Sequence, residues 1–231
     1  MENQQTAVTT NETKAVAVAN QSYISRMLEE RRQGFMEANA GMDLDYVRMG
    51  EWLKLNKKGN FVEKDDESVS YGQTIDVVVG HGEQRWTLWG KDNTPEKGEL
   101  ITAEKTQEEA IEALRNWLAE NPEAASRYTE DDIKLRYNAL VVPVQTLTGE
   151  EGPKIYLMSF APGDTIAWGK FAMKVYDGKF KALNIPKGTG INRVVVRLDS
   201  EERKNADNES YLGLTFQPVG LFNPADYGIT E

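Results

Sequence analysis

The spacing of apolar residues changes several times along this 231-residue chain, and each change marks an element. From Ser22, the residues Ile24, Met27, Leu28 and Phe35 fall on one side of a helix, with Gly34 as its expected stop. Val47, Met49, Trp52, Leu53 and Leu55 then suggest a first strand, closed by the turn Lys57-Lys58-Gly59-Asn60. Thr74 to Val79 alternates cleanly, with Ile75, Val77 and Val79 on one face. Gly80-His81-Gly82-Glu83 reads as a turn and Gln84 to Trp89 as the returning strand of a hairpin. On that return Trp86 and Leu88 share one face, while Arg85, Thr87 and Trp89 share the other.

Helical spacing resumes at Thr106-Gln107-Glu108-Glu109, a capping box in which the threonine oxygen and the glutamate satisfy otherwise free amides. Ala110, Ile111, Leu114, Trp117 and Leu118 form the apolar face, and Asn121-Pro122 ends the helix. Thr129, with Asp131 and Asp132 near a positive helix end, predicts a shorter helix to about Tyr137. Ala139 to Leu147 and Ile155 to Phe160 read as antiparallel strands around a turn at Gly149 to Pro153. After Pro162-Gly163-Asp164, the spacing of Ala167, Trp168, Phe171, Ala172, Val175 and Tyr176 suits a helix that stops at Gly178. Lys170 and Lys174 lie one turn apart and project from the same side. Phe180 to Leu183, Arg193 to Leu198 and Tyr211 to Phe216 read as extended, with the acidic stretch Asp199 to Glu209 as an exposed link.

This layout predicts an α+β fold, mostly antiparallel β, with seven or eight strands and two or three inserted helices. An OB-like Greek-key barrel fits, because that barrel accepts insertions in its loops. Residues 1–21 read as a disordered polar tail, 22–40 as a short amphipathic helix, 41–222 as a single domain and 223–231 as a C-terminal tail.

Composition narrows the function. The absence of cysteine excludes a disulfide framework, thiolate metal sites and a cysteine nucleophile, and a single histidine removes most imidazole sites. No secretory signal or membrane-length apolar run is visible, so a cytoplasmic protein is expected. The net charge of −10 argues against indiscriminate adhesion to duplex DNA or anionic membrane. Between Ala167 and Leu198, however, seven basic residues face one acid, Asp177: a local charge of +6 inside a remainder of −16. Affinity for phosphate depends on the cations that reach it, so this island outweighs the average.

Catalytic readings have bland competitors. His81 lies between two glycines with no serine or second histidine near it in sequence, which turn chemistry explains. Asp65-Asp66-Glu67 and Glu130-Asp131-Asp132 read as loop solvation and helix capping rather than as metal ligands. Gly80-His81-Gly82 lacks the strand-to-helix context of a phosphate cradle. A non-enzyme without metal or cofactor is expected.

The run 54–61 (Lys-Leu-Asn-Lys-Lys-Gly-Asn-Phe), Arg85-Trp86-Thr87-Leu88-Trp89, Ile155 to Pro162, the tryptophan-bearing helix and Tyr211-Leu212-Gly213-Leu214-Thr215-Phe216 together resemble phage-encoded single-stranded-DNA-binding proteins of OB fold. The resemblance covers roughly Leu53 to Leu221 and rests on strands and aromatics. It implies a replication or recombination accessory, active in the host cytoplasm, that coats exposed strands by base stacking and phosphate contacts without reading sequence. The candidate contacts are Arg85, Trp89, Trp168, Lys170, Lys174, Lys179, Phe180 and Lys181, with Arg193 and Arg197 extending the groove. Replication or recombination proteins are the implied partners, although the chain ends Asn-Pro-Ala-Asp-Tyr-Gly-Ile-Thr-Glu rather than in a dense acidic tail. The competing reading is an acidic protein-binding module, or a phage-encoded inhibitor, whose negative remainder engages a basic partner.

Overall fold

A computed structural model of the chain describes residues 22–40, 50–149, 151–204, 208 and 210–229. The tail expected at 1–21 and the strand positions Val47 and Met49 lie outside the described residues. In chain order the elements are α1 (Tyr23–Ala38), β1 (Glu51–Leu55), β2 (Phe61–Glu63), β3 (Ser70–Gly72), β4 (Thr74–Trp89), β5 (Leu100–Glu104), α2 (Gln107–Glu120), β6 (Lys134–Pro143), β7 (Tyr156–Phe160), α3 (Pro162–Tyr176), β8 (Val194–Lys204) and β9 (Ser210–Leu221). Eight strands follow the order β3-β2-β1-β7-β6-β4-β8-β9, and β5 pairs with the flank of β4. Every pairing is antiparallel except β1 with β7, so the sheet is mixed. It curls into a half-barrel.

Strand alternation sorts the core. Ile75, Val77 and Val79 of β4, Val194, Val196 and Leu198 of β8, and Leu53 and Phe61 meet on the inner face, where α3 adds Trp168, Phe171 and Val175. Val78, Val142 and Val195 point the other way, under Ile24 and Leu28 of α1. The Thr106–Glu109 capping box forms as expected, and Ala110 and Leu114 of α2 pack on Leu88, Tyr128 and Ile133 in a third cluster.

The hairpin expected at Gly80–Glu83 is instead the middle of one 16-residue strand, β4. Neither Gly80 nor Gly82 has a positive φ, so neither makes a turn. Both glycines are bare because something lies on them. A Cβ on Gly80 would sit 2.2 Å from Leu28 Cδ1, and one on Gly82 would sit 2.1 Å from Tyr137 Oη. The irregularity between Val79 and His81 in the pairing with β6 is a bulge that bends the strand there.

Other boundaries move for similar reasons. The helix expected from Thr129 shrinks to a single 3-10 turn, Glu130–Asp132, because Ile133 is already extended and Lys134 to Tyr137 pair with β4. Phe180–Leu183 is likewise a 3-10 turn rather than extended, ending at Asn184 with φ 56°. Half of the expected acidic link is strand: Asp199 to Lys204 pair with Thr215 to Ser210, forming a ribbon on which Glu201, Glu202 and Lys204 are exposed. α1 continues through Gly34, and its Phe35 is exposed rather than packed. The expected C-terminal tail folds into a turn, Pro224–Tyr227, where Tyr227 stacks on Phe222 and Phe222 meets Tyr23 of α1. Among the described residues no helix is long and apolar enough to cross a membrane.

Candidate nucleic-acid interface

β9 ends the strand order, so among the described residues one of its edges has no strand neighbour. α3 lies along that edge. Asp164, in the first turn of α3, accepts from the Leu214 backbone N–H (3.0 Å) and from Arg203 Nη1 (2.9 Å), which blocks strand addition at this point. Pro218, with no N–H to offer, blunts the edge further along. Burial pushes the Asp164 carboxyl above its ordinary value, and the bonds from Leu214 and Arg203 oppose that push.

Between α3 and β9 runs a groove of about 410 Å³. Phe171, Phe180 and Phe216 supply its apolar surface, and Lys170 and Lys174 stand on its helical side. The far end of α3 explains how Phe180 arrives there. Gly178, with φ +70°, lets its N–H donate to the Val175 carbonyl and the Lys179 N–H to the Lys174 carbonyl, a Schellman reversal. The chain doubles back and sets the Phe180 ring 6.0 Å from Phe171, with Lys179 and Lys181 exposed beside it. Phe171 in turn stacks on Phe216 at 6.1 Å and 25°.

The expected contacts divide clearly. Lys170, Lys174 and Phe180 converge on the groove, with Lys179 and Lys181 next to it. Among the described residues, none of these four lysines is in an ion pair. Trp168 is corrected from stacking platform to core: it is 3% exposed, behind the groove, ringed by Tyr137, Phe160, Phe171 and Phe216. Arg197 does not extend the groove either. It shares a strand parity with Val195, on the α1 side of the sheet, and is held through two bonds of 2.8 Å by Asp76. Arg193 is exposed in the 3-10 turn before β8.

Arg85 and Trp89 stand apart on β4. Arg85 pairs with Glu83 at 2.8 Å. Trp89 meets Trp52 edge to face at 5.3 Å, with Lys64 Nζ 5.5 Å from its ring, a separate cation–aromatic cluster. Sequence reasoning missed Arg203, Thr215, Phe216 and Gln217, which line the groove from the β8–β9 ribbon. The only signal for the last three was the alternation of Leu214 and Phe216 with Thr215 and Gln217, and Arg203 had none.

A second cavity, about 500 Å³, opens between Arg31, Glu51, Glu63, Lys154 and Tyr156. Tyr156 donates to the buried Glu63 carboxylate and shares a hydrogen bond of 2.6 Å with Tyr71. The charge of Glu63, and a hydrogen bond with it, raise the Glu51 carboxyl above its ordinary value. In each of the two acidic runs one carboxylate is held by its own neighbours. Asp66 accepts from the Ser68 amide and hydroxyl, and Asp132 caps Thr129 and pairs with Lys91. Among the described residues, no three His, Asp or Glu side chains are grouped to hold a metal. Compared with protein-family models, curated proteins and solved structures, the chain shows no match.

Proposed function

We propose that this chain is a sequence-tolerant single-stranded-DNA-binding protein, an accessory to replication or recombination, built on an OB-like barrel open between β3 and β9. The observation that carries the reading is the α3–β9 groove, in which lysines without an ion-pair partner among the described residues border an apolar floor where Phe180 and Phe216 are partly exposed over the buried Phe171. Single strands bind such grooves because phosphates follow the cations while bases, each with a π-face, settle on the rings. Duplex DNA keeps its bases stacked inside and offers nothing to the floor.

The test is fluorescence anisotropy of a labelled oligothymidylate, at low and moderate salt, against a duplex of equal length. Preferential binding of the single strand is expected, with log affinity falling against log salt by about 0.7 per phosphate contact. Failure to retain the single strand even at low salt removes the proposal.

A further inference from the structure

One residue of the groove wall is prepared in a way its charge does not suggest. Arg203 reaches from β8 across Gly213 of β9. Its Nε donates to Glu201 (2.6 Å), its Nη1 to Asp164 (2.9 Å) and its Nη2 to the Leu214 carbonyl (2.7 Å). Three bonds from three nitrogens fix the plane of the guanidinium. A Cβ on Gly213 would lie 2.7 Å from each of Cζ, Nε and Nη1, and equal distances place it over the face of the group, not its edge. Bare glycine backbone thus supports one face. The side chain remains 24% exposed and lines the groove.

Its charge is already spent. Asp164 and Glu201 bring two carboxylates to one guanidinium, so the trio does not attract a phosphate. A flat, rigid, π-delocalised surface beside an aromatic floor can still stack a base. Resting on the proposed single-strand function, we infer that Arg203 is a stacking plate at the rim of the groove: one base of the strand lies on the face turned away from Gly213 while Lys170 and Lys174 hold the flanking phosphates. Stacking without hydrogen bonding to base edges also accounts for tolerance of sequence, since any base fits.

Two variants test this. Arg203→Lys keeps a cation for Asp164 but removes the plane; Gly213→Ala keeps every charge but pushes the guanidinium off its support. Each is measured with an oligothymidylate and with an abasic strand of equal length, alongside thermal melting to confirm folding. Either variant that stays folded is expected to lose about 5- to 10-fold in affinity for the base-bearing strand, the share of one stacked base. Its affinity for the abasic strand should stay within about twofold, and its salt slope should be unchanged. Equal losses on both strands, or a shallower salt slope, would make Arg203 a phosphate contact and overturn the inference. So would two folded variants that bind like the parent. If the parent protein binds neither strand, the single-strand function itself fails and the plate fails with it.

Discussion

The groove and the outer side of the β4–β8 pair both carry basic residues from the same basic stretch, yet their cations are in different states. Arg197 faces Asp76, its register partner on β4, and the two form a bidentate pair. Arg85, outside that stretch and further along β4, is likewise held, by Glu83 two residues away on its own strand. At the groove, Lys170 and Lys174 leave a helix whose only acidic first-turn residue, Asp164, is turned inward to Arg203 and Leu214. Cross-strand neighbours cancel charge on a sheet, whereas the α3 lysines face the apolar residues Leu214, Phe216 and Pro218 of β9. A count along the sequence cannot see this difference, because Asp76 is 121 residues from Arg197.

The largest expected effect concerns the wall behind the groove. Trp168→Ala should cost about 3–5 kcal/mol of stability, as large aromatic truncations in cores do. Phe180→Ala, on a half-exposed ring, should leave folding largely intact and weaken single-strand binding by about 1–3 kcal/mol. Chemical denaturation and anisotropy read the two effects separately. If Trp168→Ala melted like the parent and lost only binding, its burial would not describe the protein in solution.

The contrast between free and spent cations is tested next. Lys170→Glu with Lys174→Glu should lower single-strand affinity by roughly 100-fold or more, at unchanged melting temperature. Arg197→Gln should change it by less than about twofold, since that cation is already neutralised. Comparable losses from both, seen by anisotropy at one salt concentration, would erase the distinction.

How much of this was legible follows from the range of the interactions. The α2 helix was readable to its cap because Thr106 and Glu109 satisfy each other within one turn. The α3 helix and its stop at Gly178 were readable for the same reason, and Lys170 and Lys174 came with them. β4 was not, because Gly80 and Gly82 are glycines for the sake of Leu28 and Tyr137, 52 and 55 residues away, and in sequence they look like a turn. Trp168 misled because helical spacing identifies an apolar face without saying that the sheet covers it. Arg203 was hidden in an acidic stretch, where nothing local marks it as the one charge drawn inward to Asp164.

Paired cations also make the protein sensitive to acid in a way the groove lysines do not, and Glu96 shows the sign. Burial pushes its carboxyl up, but hydrogen bonds from Arg127, its own backbone N–H, Thr94 and Tyr128 outweigh that and hold it at about 2, below the ordinary 4.5. A carboxyl that is more acidic folded than unfolded contributes its full stability above the unfolded value and loses it as pH falls towards the folded one. The window therefore runs from 4.5 down to about 2. Glu51 acts in the opposite sense: raised in the fold by Glu63, it favours the folded state as it takes up a proton. Bulk acid titration mixes the two, and Glu96→Gln separates them. Thermal melting of this variant should be lower than the parent's at neutral pH, and the gap should narrow through the Glu96 window as the parent loses the same contact. A gap that stayed constant with pH would mean that Glu96 stabilises through packing and not through charge.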